Sequence, residues 1–497
     1  MNEKMTPGGT EKEIGEEERR GEKLKRSFMK SRWSWIGVSL GIHLVLLLVM
    51  ARVLLPLEFE ERIYMVLGAF QEEADRDEPL EMFLIPETLD AGEFDSNPLS
   101  AVASEMVDSA SLIEPPAMGL VVENPVIEAP DSVARFDVAT SGRTQAGRRQ
   151  LVEQFGGTEA SEAAVNRGLE WLARVQRPGG DWSCREVGSA GGEGSVSAGT
   201  EMGATAVALL CFLGAGHTHQ DPGPYQGVVA RGFEALRAGG EPIRGKGYDY
   251  RGPIPNDHHG SMYIHGLVTI AFAEGYGMTR DRLLGRSMEN AARFIVMSQD
   301  FEKGGWRYTP GKDSDTSVLG WQVMALKSAQ RGKVRVPATT FVGVSRFLER
   351  VAADGGARYG YTSPDGGRPS TTAIGLLCQM YWGWNRQHPA LERGVGYLAS
   401  TGPDFNDFYY LYYATQVMHH WGGEEWEAWN RSVRDGLVSR QVLTGDGAGS
   451  WNPTGSISGR SGGRLFDTCL AIMTLEVYYR YLPLYERTEI TVKLDER

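Results

Sequence analysis

Between Ser161 and Tyr485 the chain repeats one alternation six times: an amphipathic helix-length run, then a helix-length run that is apolar nearly all round, separated by glycine-rich loops. The one-sided runs are "AAVNRGLEWLARVQ", "GVVARGFEALRAG", "SMENAARFIVMSQ", "TFVGVSRFLERVA", "ALERGVGYLAS" and "AWNRSVRDGLVSRQ". Their partners are "EMGATAVALLCFLGAG", "SMYIHGLVTIAFAEGYG", "DTSVLGWQVMALKSA", "STTAIGLLCQMYWG", "FYYLYYATQVMHHWG" and "FDTCLAIMTLEVYYRY". A one-sided helix keeps one face in water, whereas a helix apolar on every side must be enclosed. Self-similarity at this period marks a repeat architecture. Six outer and six enclosed helices closing on themselves give an all-α fold, an α6/α6 toroid, over residues 151–486. An open solenoid would not need six fully apolar inner helices.

What precedes the repeats is organised differently. Residues 1–32 are polar and charged without apolar periodicity, and read as a disordered cytoplasmic segment. Trp33 to Ala51 then supplies 19 residues without Asp, Glu, Lys or Arg. At the helical rise this spans roughly 28 Å, the thickness of a bilayer core, so residues 33–55 are expected to form a transmembrane helix. Two tryptophans open it, "KLKRSFMKSR" with five basic residues precedes it, and "LEFEE" follows. The positive-inside rule keeps the N-terminus cytoplasmic and exports the rest to the periplasmic side. A cleaved signal peptide would need a shorter n-region and a small-x-small site. Between Leu57 and Thr140 there are 20 acidic residues against three basic ones, a local balance of −17 in a chain whose net charge is −13. Residues 56–150 therefore read as a self-repelling, largely disordered tether, and residues 487–497 as a tail.

The loops carry a second signal. Gln176 to Trp182 reads "QRPGGDW", Gln299 to Trp306 reads "QDFEKGGW", and "GSW" ends at Trp451 after Gln441. These resemble the Q…G-x-W repeats of the squalene–hopene cyclase family. There the Gln at the end of an outer helix and the loop Trp tie neighbouring repeats together. Two other loops depart from the pattern: "GGARYGYTS" offers Tyr359 and Tyr361, and "STGPDF" has no Trp. "SMYIHGLVTIAFAEGYG", "DTSVLGWQVMALKSA" and "LEVYYRYLPLY" further resemble the membrane-anchored prenyltransferase/squalene-oxidase-repeat proteins of planctomycete-type bacteria.

A toroid of this kind has parallel inner helices, so their N-termini converge on one rim. That places Glu201, Tyr263, His265, Asp315, Thr316, Thr371, Thr372, Tyr409, Tyr412 and Asp467 at or near a central cavity as candidate ligand-binding residues. Converging helix N-termini favour an anion. The resemblance implies an acid for alkene protonation, the middle Asp of a D-x-D-D-T-A-like motif. Here the stretch is "KDSDTS", and in either alignment one essential carboxylate is missing. Asp315 therefore reads first as the N-cap of the helix beginning at Thr316. Catalytic candidates are Asp315, His265 and Asp467. The protein prenyltransferase branch implies Zn²⁺ on an Asp-x-Cys pair with a His. Asp467 and Cys469 have that spacing but no matching His, so no metal is expected. Asp257, His258 and His259, or His419 and His420, could form metal half-sites, but neither pair has a third ligand at the usual spacing.

Four widely spaced cysteines give no disulfide framework. No concentrated basic stripe points to nucleic acid. There is no P-loop, G-x-S-x-G elbow or H-E-x-x-H motif, and no cofactor is implied. Two readings follow. One is a membrane-anchored binding or scaffold domain for a lipid, glycan or protein segment. The other is a divergent cyclase- or prenyltransferase-like enzyme acting on an isoprenoid. An open aromatic cavity with paired carboxylates would favour the enzyme, and a side-chain-filled centre the binding module.

Overall fold

A computed structural model describes residues 142–185, 201–254, 258–259 and 261–485. The expected transmembrane span 33–55, the segment 1–32, most of the tether and the tail 487–497 lie outside the described residues. No helix among the described residues is long and apolar enough to cross a membrane.

The six apolar runs form α3 (Glu201–Gly214), α5 (Met262–Thr279), α7 (Thr316–Arg331), α9 (Pro369–Tyr381), α11 (Phe408–Trp421) and α13 (Ile457–Leu475). The amphipathic runs form α2 (Glu159–Arg174), α4 (Gln226–Ala238), α6 (Arg282–Met297), α8 (Ala338–Val351), α10 (Pro389–Thr401) and α12 (Gly423–Arg440). Each apolar helix packs against the next in order, and α13 packs back against α3. That last contact closes the ring. Every described residue of α11 is buried, and so is all of α3 after Glu201. Outer helices such as α6 bury one stripe only, including Leu284, Met288, Ala291 and Ile295. Closure recurs outside, where α2 rests on both α12 and α13. The architecture is an α/α toroid.

The Gln and Trp of each loop motif make the same bonds three times. The Gln176 amide donates to Gly180 O and to Val228 O of α4, at 2.8 and 2.9 Å. Gln299 donates to Gly304 O and to Thr340 O of α8, both at 2.8 Å. The tryptophans donate from Nε1 to outer-helix carbonyls at 2.8 Å: Trp182 to Leu172, Trp306 to Ile295 and Trp451 to Leu437. All three indoles are buried. Gly180, Gly304 and Gly449 have φ of +89°, +90° and +95° and lie against carbonyls of Arg231, Gly343 and Arg167, where a Cβ would collide. In the loop between α8 and α9 Tyr359 replaces the Trp, fully buried against Gly375 with its hydroxyl accepting from Gln379.

Two features extend the sequence expectation. Three short antiparallel hairpins interrupt the helices: β1–β2 (Glu241–Ile243, Gly247–Asp249), β3–β4 (Pro253–Ile254, His258–His259) and β5–β6 (Ala352–Ala353, Arg358–Tyr359). A further helix α1 (Gln145–Gln154), starting in the stretch read as tether, packs on the short α14 (Val477–Arg480).

Candidate functional site

The middle of the ring is filled. Trp321 of α7 stacks on Tyr412 of α11, with ring centroids 5.6 Å apart and planes 13° from parallel. Tyr413 meets Trp321 edge-on at 5.5 Å and Tyr409 at 5.1 Å. Tyr263 of α5 completes the cluster against Trp321 and Tyr409. Such offset and edge-to-face pairs each add about 0.5–1.5 kcal/mol beyond their buried area. Trp321, Tyr412 and Tyr413 are buried, and the Tyr412 hydroxyl shares a hydrogen bond with Tyr481 at 2.9 Å. This plug divides the toroid into two mouths.

The first mouth lies where the inner helices begin. Its cavity, about 80 Å³, is walled by Tyr263, Tyr361, Tyr409 and Phe466, by the hydroxyl residues Ser317, Ser370, Thr371, Ser458 and Ser461, and by Arg368 and Asp407. Tyr263, Thr371 and Tyr409 were expected here and line it. Asp407 caps α11 by accepting from Tyr410 N at 3.0 Å, and burial raises its pKa.

The other expected residues are not among those that line the cavity. Asp315 is fully buried and caps α7, one oxygen accepting from Val318 N at 2.8 Å and the other lying 3.7 Å from the Arg307 guanidinium. Burial pushes its pKa up to about 7 against the pull of that backbone bond and of Arg307. Thr316 and Thr372 both bond the segment between α8 and α9: Thr316 Oγ1 donates to Gly360 O, and Thr372 Oγ1 accepts from Tyr359 N. His265 faces outward from α5. Its Nδ1 accepts from Tyr250 N at 3.1 Å, and its Nε2 bonds Ala291 O of α6 at 2.9 Å. Both nitrogens are thereby engaged in the helix–hairpin interface. Glu201 sits at the start of α3, half-exposed and 3.8 Å from Arg177. Tyr412 belongs to the plug.

Asp467 and Cys469 do not converge, because residues two apart on a helix point to different sides. Asp467 accepts from Thr454 N, Thr454 Oγ1 and Ser458 Oγ at 2.7, 2.8 and 3.1 Å, fixing the loop beside the mouth. Burial pushes its pKa up to about 6. Cys469 is core, beside Cys211. His419 bonds Tyr481 O, and burial lowers the pKa of both His419 and His420. The side chains of His258 and His259, and Asp257 altogether, lie outside the described residues. Among the described residues no three His, Cys, Asp or Glu side chains group as a metal site.

The second mouth lies where the inner helices end, and no sequence spacing announces it. Arg143, Glu274, Lys327, Arg331 and Arg480 converge there from four distant stretches around a cavity of about 40 Å³. Glu274 accepts from Arg143 at 2.8 Å and from Arg480 at 3.0 and 3.1 Å. Burial alone would raise its pKa, but the two guanidinium groups hold it below the usual carboxylate range. Behind them the buried pair Glu476 and Arg480 meets at 3.1 Å, in space that exists because Gly214 has no side chain.

No family model and no curated protein sequence matches the chain. Among solved structures, a type II terpene cyclase from Scytonema is similar at TM-score 0.43 and 11% identity, over 64% of this chain and 98% of that one. A GH76 α-mannanase from Bacteroides thetaiotaomicron is similar at TM-score 0.45 and 9% identity, over 66% and 98%. An inactive variant of the α-1,6-mannanase GH76A of Salegentibacter sp., in complex with α-1,6-mannotriose, is similar at TM-score 0.44 and 10% identity, over 65% and 99%.

Proposed function

We propose that the toroid is a glycan-binding module, held outside the cytoplasm by the apolar span Trp33–Ala51, and that the mouth at the start of the inner helices receives the end of the glycan. The observation that carries this reading is the plug. With Trp321 stacked on Tyr412 across the ring axis, no channel is left for a long apolar chain, and the cavity above is well under the roughly 300 Å³ of a drug-sized site. What remains is a shallow recess with aromatic rings on its walls and five hydroxyl residues between them. Ring faces suit the C–H face of a sugar. Hydroxyl groups, which both donate and accept, suit its alcohols. Arg368 and Asp407 add one charged donor and one charged acceptor at the rim.

One observation favours catalysis instead: Asp315, its pKa pushed up to about 7, is part-protonated at neutral pH as an acid catalyst would be. Its full burial and its hold on the α7 cap weigh against contact with a substrate. The test is binding of the full chain to immobilised polysaccharides of defined composition, beside incubation with squalene and prenyl diphosphates. Tyr409→Ala and Arg368→Ala should abolish glycan retention. Retention unchanged in both variants would overturn the glycan reading, and a cyclised product lost in Asp315→Asn would establish the enzyme. Protease added to spheroplasts should digest the toroid while residues 1–32 stay protected; a soluble product beginning after residue 51 would refute the anchor.

A further inference from the structure

We propose that the mouth at the end of the inner helices is a second, separate binding site, for an oxyanion: a phosphate group gripped by Lys327 and Arg331, with Arg143 and Arg480 behind them. The argument begins with charge. Four cationic side chains line this cavity against one carboxylate, Glu274, and that carboxylate is already shared by Arg143 and Arg480. Lys327 and Arg331 have no carboxylate within ion-pair distance among the described residues. They stand one turn apart on α7, on the same side of the helix.

An ordinary account is available for part of this, since cations are favoured at helix C-termini. It does not reach far enough. The inner helices α5, α7 and α9 all end at this cavity and each end presents roughly half a negative charge, about 1.5 together, whereas the four cations less Glu274 leave three positive charges. Lys327 is also held in place: its ammonium lies 5.2 Å from the ring of Phe341 and 5.3 Å from that of Trp382. A lysine resting against this T-shaped ring pair has less freedom than a surface lysine to escape a like charge. Burial, and then the neighbouring Arg331, lower its pKa, the direction expected of a cation short of a counter-ion. Glu476 does not make up the deficit. Burial pushes its pKa up to about 8, and it is engaged by Arg480 and does not line the cavity.

A phosphate has the matching chemistry. It accepts a guanidinium edge-on and an ammonium as a point charge, and each contact is a charge-assisted hydrogen bond. The cavity has the volume of an ionic group, not of a whole amphiphile. Ile270, Met278 and Met324 on the wall would meet whatever apolar portion the phosphate carries. Inorganic phosphate and the headgroup of an anionic phospholipid share this chemistry. The proposal does not depend on the glycan reading, which concerns the opposite face.

The experiment uses the full chain purified in neutral detergent and exchanged into an anion-poor buffer. Inorganic phosphate is titrated in one arm and micelles doped with phosphatidic acid in the other, with melting temperature and calorimetric heat as readouts. The expected result is saturable binding in at least one arm, weakened about tenfold or more by Lys327→Met with Arg331→Gln. Arg331→Lys, which keeps the charge, should retain most of it, and Arg350→Gln, an exposed charge elsewhere, all of it. Binding in the phosphate arm identifies a free anion as sufficient, and binding in the micelle arm alone identifies a lipid headgroup. Without ligand the double variant should melt at the same or a higher temperature, because a like-charge contact is gone. Equal affinity in parent and double variant, or no saturable binding in either arm, would overturn the site.

Discussion

The Gln441 amide donates to Ala164 O at 2.8 Å, across 277 residues of chain. The same nitrogen donates to Gly449 O at 2.9 Å, and Arg167 Nε donates to the Gln441 side-chain oxygen at 2.9 Å. The last outer helix is thereby tied to the first by the device that Gln176 and Gln299 use between consecutive repeats. A linear array has no use for this bond at its ends; a ring does.

Replacing Gln441 should therefore loosen the closure in particular. Gln441→Leu removes the side-chain donor from two carbonyls and the acceptor from Arg167, a loss on the order of 1–3 kcal/mol. Hydrogen exchange should accelerate first in α2 and α12 and later, if at all, in α6 and α8. Uniform acceleration around the ring would mean that closure is not separately stabilised.

The loop glycines allow strain to be separated from collision. Gly311 has φ of +70° with open space around its missing side chain, whereas Gly304, at +90°, lies against the Gly343 carbonyl. Gly311→Ala should cost about 1–2 kcal/mol, the left-handed penalty alone. Gly304→Ala should cost more, because Cβ must push the loop off α8. Equal melting temperatures for the two variants would remove the close approach as the reason for that glycine.

How far the sequence carried depended on whether the cause was local. All-round apolarity in six runs is a property of each run, so the enclosed layer was legible. The Gln, Gly and Trp of each loop sit within eleven residues, so the ties were legible as well. Side-chain direction at helix starts was not. Thr316, Thr372 and His265 are at or near inner helix starts as expected, yet their hydrogen bonds go to the segment between α8 and α9 and to α6, and none of the three lines the cavity. Tyr361 and Arg368 come from the loop before α9, where no periodicity specifies orientation. The ionic mouth was invisible for a different reason. Arg143, Glu274, Lys327 and Arg480 are separated by more than fifty residues each, and only the closed ring brings them together.

Trp306 offers a simple measure of the ties. It is buried and donates to Ile295 O, so Trp306→Ala should lose about 3–5 kcal/mol. Melting like the parent would show that this repeat is held by other contacts.

Asp315 should give stability a pH dependence of defined sign. Its folded pKa, about 7, lies above its ordinary value of 3.8. Its contribution is then fully present below pH 3.8 and is lost as pH rises through about 7. Asp315→Asn cannot ionise and caps nearly as well, so it should match the parent at acid pH and exceed it at pH 8, whereas Asp315→Ala should lose about 0.5–2 kcal/mol of capping. A parent that gains on the Asn variant as pH rises would mean that Arg307 holds the carboxylate ionised.

The plug itself can be removed. Trp321 touches Tyr263, Tyr409, Tyr412 and Tyr413, and it is fully buried. Trp321→Ala should destabilise by about 3–5 kcal/mol and leave a ring-sized void, because tyrosines anchored on the packed helices α5 and α11 can collapse only partly. Such a void, lined by ring faces, should accept indole, and a ligand that binds only the folded state raises its stability in proportion to the logarithm of its concentration. Added indole should raise the melting temperature of Trp321→Ala and leave the parent unchanged. If the variant melts low and indole does nothing, the tyrosines have closed over the axis and the tryptophan is one packing residue among several. If the variant melts like the parent, the axis is not plugged by this residue, and the case against a long apolar substrate fails with it.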